Sequence, residues 1–549
     1  MNHVFRGIPN LVARLASMAL LCSSPILAST PFNNPPGGGW AVVREDLIVD
    51  LDIGKSALSV HGNAIVTPRV PSGEATLWLN SGVYTKRAIM RFVSLTASEP
   101  SSISLNQTND AHPGSFYTTI HFDHTIEAGQ RVQLSFEVQS LRGNGFTFTI
   151  APPVAVVEGV NGWYPQPLNE DGKLDAERDQ PPGRTTFRLA GNYRSVSNGS
   201  LLRTVVSHGR RSETWNLSPG APRSFAAGPY TYAGYRVGRI TVGLFTLRGT
   251  NASAGIKDLY DALSVLQGEY GAFPYARYDV AEVADDEVNW AGLAARELTV
   301  EQSFVFKKQD AIVFFSHEAA HAWWGNLVGK TGPGIFMVNE AMAQYSAFTV
   351  LQQIKGEAAY LAALDGAARA YFNEAYGKPV DKPLSKLDRS FQKDYDISLD
   401  KGTWVYHMLR ERVGSAVYFS TFRALARRYA GREMTLQDIR NAFLANAKGR
   451  GGLQNFFSQW LDREGAPVVT WVPMNSAAFG LKQWQPGKAY VLTFPIRVKC
   501  RTSSFVQVVR IDRKWMVVPS ARQCTPTSVD IDTGRTTLMW RPRYSPTPA

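Results

Sequence analysis

The sequence has few cysteines, no long apolar segment and no internal repeat. Its 549 residues include only three cysteines, too few for a disulfide-stapled scaffold or for a zinc site built from Cys-x-x-Cys pairs. No stretch reaches about 18 uninterrupted apolar residues, so a membrane-spanning helix is not expected. Because repeats and low-complexity tracts are also missing, a repeat architecture and a disordered chain are excluded.

The charge is modest as well. Lysine and arginine number 58 and aspartate and glutamate 46, which gives a formal net charge of +12. These basic residues are dispersed, so the sequence does not predict a nucleic-acid-binding protein. The chain is 44% hydrophobic, which is typical of globular proteins, and its length suits about three to four domains.

The first 28 residues have the order of a secretory signal. Arg6 and Arg14 give a positive start, an apolar run follows at 15–22, and small or helix-breaking residues lead to Ala28. This order predicts a cleaved signal peptide over 1–28 and a secreted or periplasmic protein. An uncleaved amphipathic N-terminus is the alternative. A lipoprotein anchor is disfavoured because a large residue, leucine, precedes Cys22.

Cleavage of the signal would leave two cysteines, Cys500 and Cys524, which lie 24 positions apart. In an oxidising compartment the two predict a disulfide. The loop-entropy model gives such a bridge a stabilising contribution on the order of 3 kcal/mol. The alternative is a pair of free, buried thiols.

The residue patterns divide the chain into three regions. Residues 40–235 contain short alternating apolar runs separated by Gly, Pro, Asn and Ser, which is typical of strands. Residues 256–464 have apolar residues three and four apart, which is typical of helices. Strand patterns return from Pro467 onward. This order of separate blocks predicts a multidomain α+β fold. The predicted domains are an N-terminal β domain over 29–235, a mainly helical domain over 236–466 and a C-terminal β domain over 467–549.

One motif in the helical region points to metal chemistry. His317-Glu318-Ala319-Ala320-His321 is an HExxH pattern in an apolar, helix-like run. Residues four apart share a helix face, so the two histidines can bind one ion. Glu318 is rotated by about 100° from the first histidine, which suits a general base beside the ion. Chance gives roughly 0.01 such motifs; two histidines on an ordinary core helix are the alternative.

Glu340 is the candidate for a third metal ligand. A catalytic zinc site has three protein ligands and one open position. Eighteen residues separate Glu340 from His321, and glycines and a proline at 329–334 predict a turn between two helices. A second helix that runs back would bring this carboxylate opposite the imidazoles. Two nitrogens and one carboxylate favour one Zn²⁺ over calcium or magnesium.

These segments resemble the gluzincin aminopeptidases of the aminopeptidase N and leukotriene hydrolase type. The family signature is HExxH, an 18-residue gap and glutamate, with Trp-x-Gly-Asn after the second histidine. Here that second motif is Trp323, Gly325 and Asn326, and Glu340 follows an asparagine. Segments outside the motif resemble the family too, among them DKGTWVYHMLR, WNLSPGAPRSFAAGPY and YGAFPYARYDV. The resemblance covers most of the chain that follows the predicted signal.

The resemblance implies a fold and a set of residue roles. It implies a saddle-shaped N-terminal β domain, a thermolysin-like mainly helical catalytic domain and a C-terminal β-sandwich. Carried over residue by residue, His317, His321 and Glu340 would bind the zinc ion and Glu318 would be the general base. The implied substrate is a peptide or protein, and the oligomeric state is not implied.

Two substrate-handling elements depart from the family. The family's Gly-Ala-Met-Glu-Asn motif holds the substrate amine through its glutamate. Aligned on Asn289, that position here is Val288, and Glu287 is displaced by one residue, which turns a strand side chain to the other face. A local bulge could restore Glu287, Asp285 or Asp286 could take its place, or amine capture is lost. A solvated acidic loop is the remaining alternative.

The second departure concerns the oxyanion. The family has a tyrosine two positions before Lys-Gly, and this chain has Leu399 there. Leucine cannot donate a hydrogen bond, and the loss of one oxyanion donor typically costs about 10²–10³ in rate. Tyr395 is the nearest candidate to replace it, if the backbone takes a different path. Otherwise Tyr395 is an ordinary loop residue.

Together these features predict a secreted zinc metallopeptidase, an aminopeptidase of atypical specificity. One alternative is a zinc-dependent hydrolase or endopeptidase that needs no free N-terminus. Another is a zinc-binding protein with little catalysis, although Glu318 argues against it because a structural zinc needs no base and has a closed set of four ligands.

Overall fold

The computed structural model shows the chain as two compact units. It describes residues 39–79, 90–109, 112–141, 144–145, 148–159, 162–167, 181–218, 220–285, 292–308, 311–388, 392–447, 452–542 and 544. The first unit, here the sheet-rich unit, contains the described residues of Leu21–Lys257 and Tyr275–Ala311. The second, here the helical unit, contains Asp258–Pro274 and Ile312 onward. The predicted signal peptide over 1–28 lies outside the described residues.

The sheet-rich unit is built from short strands. They are β1 (Trp40–Asp52), β2 (Ala57–Pro68), β3 (Ser72–Leu79), β4 (Met90–Ala97), β5 (Ser101–Asn109), β6 (His112–Ile126), β7 (Val132–Ser140), β8 (Asn144–Gly145), β9 (Phe148–Ala151), β10 (Val154–Val157), β11 (Gln166–Pro167), β12 (Arg184–Ala190), β13 (Arg194–Ser197), β14 (Ser200–Ser207), β15 (Arg210–Asn216), β16 (Phe225–Gly228), β17 (Thr231–Val237), β18 (Ile240–Thr246), β19 (Arg277–Val283), β20 (Gly292–Ala294) and β21 (Leu298–Gln302).

Four sheets result from the pairing of these strands. Their orders are β14-β15-β12-β1-β2-β7-β4, β13-β16-β10-β9-β8, β11-β3-β6-β5 and β17-β18-β19-β21-β20. The alternation expected from the sequence is visible in β2, where Leu58, Val60, Ala64 and Val66 are buried and the residues between them are more exposed. Successive side chains of a strand point to opposite faces, so this pattern places one face of the sheet on the core.

Helices dominate the centre of the chain. They are α1 (Ala252–Tyr270), α2 (Ser303–Phe306), α3 (Ala311–Ala320), α4 (Ile335–Val338), α5 (Glu340–Lys355), α6 (Glu357–Glu374), α7 (Gln392–Ile397), α8 (Thr403–Val413), α9 (Ser415–Arg428), α10 (Leu436–Asn446) and α11 (Leu453–Trp460). A π-helical turn, Ser398–Gly402, joins α7 to α8 without a break. None of the described helices is both long enough and apolar enough to cross a bilayer.

Helix α5 is the centre of the helical unit. Every residue from Glu340 to Leu351 is buried, which is the pattern of a helix surrounded by protein on all sides. Two short strands of the same unit, β22 (Gly329–Lys330) and β23 (Glu433–Met434), pair in parallel. The structure thus confirms the prediction of a sheet-rich N-terminal region and a helical central region.

The C-terminal part of the chain returns to strands. They are β24 (Val469–Ser476), β25 (Ala478–Gln483), β26 (Leu492–Lys499), β27 (Ser504–Ile511), β28 (Trp515–Pro519) and β29 (Ser528–Ile531). These form two three-stranded sheets, β24-β25-β28 and β27-β26-β29. A disulfide joins Cys500, directly after β26, to Cys524. The domain boundaries at 235 and 466 stay predictions.

A buried hydrogen-bonded chain connects the helices to this C-terminal part. His407 Nε2 lies 2.8 Å from the carbonyl oxygen of Arg535, which can only accept, so Nε2 carries the proton. His407 Nδ1 therefore accepts from the Tyr360 hydroxyl at 2.7 Å. Tyr360 in turn accepts from Tyr345 at 3.2 Å, and Arg410 donates to Tyr345 at 3.3 Å. The neutral imidazole fits this order of donors, and a protonated one does not.

We predict that His407 makes the protein less stable in acid. Burial, and more weakly the charge of Arg410, lower the pKa of His407 from 6.5 to about 4. Between these values the unfolded chain binds a proton that the folded chain does not. The free energy of unfolding should therefore fall as the pH drops through this range, by on the order of 3 kcal/mol from this group.

Urea denaturation between pH 7 and pH 4 measures the effect. In His407→Gln the amide can still donate to Arg535 and accept from Tyr360 but does not titrate, so its stability should fall less steeply than that of the wild type. His208→Gln, in an exposed turn, is the matched control. Parallel profiles of the wild type and His407→Gln would contradict the assignment.

Candidate metal centre

The two histidines of the HExxH motif lie at the end of α3 and just beyond it. His317 is on the helix, and His321 follows its last residue with a backbone hydrogen bond back to the His317 carbonyl at 3.4 Å. The side-chain amide of Asn326 donates to the carbonyl of His321 at 3.0 Å. This asparagine therefore satisfies a helix-end carbonyl that has no partner within the helix. Its contact explains why an amide side chain suits this position of the Trp-x-Gly-Asn segment.

The tryptophans beside the motif fix this helix end in the core. Trp323 and Trp324 are both buried. The Trp324 ring stands edge-on to Tyr270 and Phe422, with centroid distances of 5.1 and 5.4 Å. Trp323 meets Phe273 in the same way at 5.3 Å. Because aromatic packing of this kind leaves little freedom, the backbone that carries His321 is held in place.

Helix α5 brings the third candidate ligand to the two imidazoles. Glu340 is its first residue, and the Glu340 Oε2 atom lies 3.5 Å from His317 Nε2 and 3.6 Å from His321 Nε2. The two Nε2 atoms are 3.2 Å apart. All three side chains are buried, and they are the group among the described residues whose ligand atoms could hold a metal ion together.

These separations fit a tetrahedral zinc ion. Bonds of about 2.0–2.2 Å at tetrahedral angles separate neighbouring donor atoms by about 3.3–3.6 Å. The three observed distances are 3.2, 3.5 and 3.6 Å. With three donors the fourth position of a tetrahedron is free for water or substrate, as in catalytic rather than structural zinc sites.

The outer nitrogens of both imidazoles make hydrogen bonds that determine their protonation. His317 Nδ1 lies 2.8 Å from the Oε1 atom of Gln344, and His321 Nδ1 lies 3.0 Å from the carbonyl oxygen of Trp324. Both partners only accept, so each Nδ1 carries the proton and each Nε2 presents a lone pair. Two lone pairs that face each other repel unless a cation lies between them, which suits a metal site.

Glu340 is held in its charged form. Burial alone would raise the pKa of its carboxyl, but the positive charge that the His321 and His317 imidazoles carry when they are protonated outweighs burial and holds the pKa well below its usual range. The Asn339 amide donates to Glu340 Oε1 at 2.6 Å. One carboxylate oxygen is therefore fixed by the preceding asparagine, and the other faces the imidazoles.

Comparison with known proteins agrees with this geometry. Residues 291–460 match the family model described as the Peptidase family M1 domain. This region of the chain is therefore similar to the M1 peptidase domain. Aminopeptidase N of Lactococcus lactis is 24% identical over 200 residues, and probable aminopeptidase 2 of Sulfurisphaera tokodaii is 24% identical over 203 residues. These matches cover 33% and 36% of this chain.

A longer match extends beyond the M1 domain. Tricorn protease-interacting factor F2 of Thermoplasma volcanium is 21% identical over 316 residues, or 53% of this chain. The matched regions span 39%, 22% and 26% of factor F2, aminopeptidase N and probable aminopeptidase 2. The chain thus matches less than half the length of each of these relatives.

The structure describes only part of the predicted amine-binding segment. Glu287, Asp286 and Val288 lie outside the described residues. Asp285 is described, and its Oδ1 atom accepts from the backbone N–H of Phe304 at 2.6 Å, at the start of α2. The Lys307 ammonium lies 3.9 Å from the same carboxylate. Asp285 therefore already has a local role in holding the N-terminal turn of α2.

The predicted oxyanion residues lie in and before the π-helical turn. Leu399 is buried within Ser398–Gly402. Tyr395 is buried too, and its ring stands edge-on to Phe336 at 5.9 Å. Phe336 belongs to α4, four residues before Glu340. The structure thus brings Tyr395 to the segment that leads into the metal cluster.

Two supporting features were not predicted from the sequence. The first is Gln344, whose spacing of four from Glu340 is the only signal that it shares the ligand's helix face. The second is the π-helical turn, which lies directly against the start of α5. A Cβ built on Gly402 would lie 2.8 Å from both Ala341 Cβ and Met337 Sδ. This close approach requires glycine.

We predict that Gln344→Ala weakens zinc binding by about 10–100-fold, the usual effect of removing a residue that orients a metal-bound histidine. Without the amide, the His317 ring loses the acceptor that fixes its tautomer. Competition with a chromophoric chelator measures the zinc dissociation constant. Gln352→Ala, about two turns further along α5, is the matched control and should bind zinc as the wild type does. Equal affinities of the wild type and Gln344→Ala would contradict this role.

Proposed function

We propose that this chain is an exported zinc-dependent aminopeptidase of atypical specificity. The observation that carries the proposal is the convergence of His317, His321 and Glu340, with Glu318 next to the first of them in the same buried helix end. The names of the M1 relatives add support for the aminopeptidase class. The donor set favours one Zn²⁺, because imidazole and carboxylate together suit zinc.

The roles of the residues follow from their chemistry. A bound zinc ion would supply Lewis acidity, which polarises a peptide carbonyl and lowers the pKa of water. Glu318 takes the proton of the attacking water and passes it to the departing amine. The buried surroundings strengthen these interactions, because charges interact more strongly away from bulk solvent. Gln344 and the Trp324 carbonyl keep the imidazole lone pairs directed at the site.

This arrangement suits catalysis better than it suits zinc storage or a structural zinc site. A structural zinc site has four protein ligands, and the described residues supply three here. Glu318 would have no purpose beside a structural ion. We therefore infer that the open position is used for substrate and water.

Atypical specificity is proposed from two substitutions relative to the family. Valine stands at the aligned amine-binding position, and Leu399 stands where the family has its tyrosine. Leu399 is buried and apolar, so it adds no donor for a developing oxyanion. Tyr395, four residues before Leu399 in the chain, is the candidate to supply the missing hydroxyl if the backbone takes a different path from that of the family. A hydrolase that accepts blocked peptides remains the second candidate, since the family's amine-binding glutamate is displaced.

Export is proposed from the N-terminal sequence and supported by the disulfide. The signal-like order over 1–28 predicts transport to a secreted or periplasmic location. The pairing of Cys500 with Cys524 suits an oxidising compartment.

We predict that Glu318→Gln abolishes peptide hydrolysis while zinc stays bound. The amide keeps the size of the side chain but cannot accept the proton, so kcat should fall by at least about 10²–10⁴-fold, the usual contribution of a general base. Hydrolysis of amino-acyl amides and metal analysis of the same sample measure both properties. Glu357→Gln, at the start of α6, is the matched control.

The same assay with N-acetylated substrates separates the two candidate activities. An aminopeptidase cleaves only the free-amine forms, and equal cleavage of both forms would favour the alternative. A zinc-loaded protein that cleaves neither set would contradict the proposed function.

We predict that Leu399→Tyr raises kcat tenfold or more if position 399 faces the developing oxyanion, because one recovered donor is typically worth about 10²–10³ in rate. Leu399→Phe adds the same ring without the hydroxyl and is the control for packing. A gain shared by both variants would reflect packing, and no gain in either would mean that another group already serves.

A further inference from the structure

Strand β14 is an exposed edge strand that carries apolar side chains. It ends the seven-stranded sheet, and all eight of its residues, Ser200 to Ser207, are exposed. The exposed fractions of Leu201, Leu202, Val205 and Val206 are 39%, 52%, 38% and 56%. Single exposed apolar residues are ordinary, but four within one short strand form a patch that indicates an interaction site.

The apolar residues of β14 lie on both faces of the sheet. Val206 pairs with Arg211 and Leu201 with Trp215, and cross-strand partners share a face. Trp215 is buried, so Leu201 and Val206 lie on the face of the sheet that packs on the core. At the edge strand this face is exposed. Val205 belongs to the opposite face, because the strand alternates.

The charges of the hairpin β14–β15 that face solvent are all positive. Among the described residues no carboxylate pairs with Arg203 or Arg210. The single acid of the hairpin, Glu213, is buried and accepts from Ser195 and Arg211. The two strands meet at an exposed turn that contains His208.

We propose that the hairpin β14–β15 docks this protein on an anionic lipid bilayer. Its exposed valines and leucines would enter the boundary between headgroups and acyl chains, and Arg203 and Arg210 would contact lipid phosphates. Basic and apolar residues side by side are the combination that binds peripheral proteins to anionic membranes. The free edge of β14 keeps its backbone polar groups at headgroup level, where water and phosphate can satisfy them.

Charge and shape favour lipid over the other occupants. Pairing of β14 with β14 of a second copy would bring the Arg203 side chains of the two copies close together, and like charges repel across neighbouring strands. Nucleic acid would complement the positive charge, but its phosphate backbone would not bind the exposed apolar side chains. A protein groove covers one face of a strand, whereas a bilayer surface can receive side chains from both faces of an exposed edge strand.

Vesicle co-sedimentation of the full zinc-loaded protein tests the proposal. The probes are vesicles of phosphatidylcholine alone and of phosphatidylcholine with phosphatidylglycerol in a 3:1 ratio. Binding is expected only to the second, and it should weaken as salt rises. Leu202→Ser with Val206→Ser should lower the partition coefficient at least tenfold, as should Arg203→Ser with Arg210→Ser. Each of these residues is exposed, so the fold should persist, which circular dichroism checks.

Val506→Ser with Val508→Ser is the matched control. Both valines are exposed on β27, so this variant loses the same kind of surface elsewhere and should bind as the wild type does. Equal binding to both vesicle types, or loss of binding in the control but not in the hairpin variants, would overturn the proposal. A wild-type dimer in sedimentation velocity that becomes monomeric in Leu202→Ser with Val206→Ser would overturn it in favour of a second copy. Hydrolysis of soluble amino-acyl amides should not change in any hairpin variant, so this result is independent of the proposed function.

Discussion

Three electron-pair donors lie close together in the buried interior of the helical unit. The His317 and His321 Nε2 atoms and a Glu340 oxygen lie 3.2–3.6 Å from one another. Unless a metal ion or a proton lies between them, two lone pairs and a negative charge repel each other away from solvent, where such interactions are strongest. The surrounding structure must therefore hold the donors against their own repulsion, and much of the helical unit can be understood as the means of doing so.

The restraint comes from contacts outside the donors themselves. Gln344 and the Trp324 carbonyl fix the outer nitrogen of each imidazole, and Asn339 fixes the outer oxygen of Glu340. Large buried aromatic residues pack next to the residues that make these contacts, and they resist displacement because the interior is close-packed. The site is thus preorganised before any metal binds, and preorganisation of this kind is what makes an oriented ligand set effective.

The sequence indicated the donors and the helices that carry them, because these depend on local spacing. A separation of four places His317 and His321 on one face, and the glycine-rich turn explains the return to Glu340. The contacts of Asp285 with α2 and of His407 with Arg535 were not predictable, since they join residues 19 and 128 positions apart in the chain. The exposure of β14 was equally hidden, because its residues follow an ordinary strand pattern and only the order of strands in the sheet makes β14 an edge.

The π-helical turn sets the rotation of α8 about its own axis. This rotation decides whether Tyr406 and His407 point towards their hydrogen-bond partners. Helices α7 and α8 form one continuous run, and the turn at Ser398–Gly402 inserts one residue into it. One inserted residue rotates all that follows by about 100°. With this rotation the Tyr406 hydroxyl reaches the Met337 carbonyl and His407 reaches Arg535.

A regular helix would turn both side chains away from these partners, and α8 would lose its connection to α4. Because α4 leads into Glu340, the turn contributes to placing this candidate metal ligand.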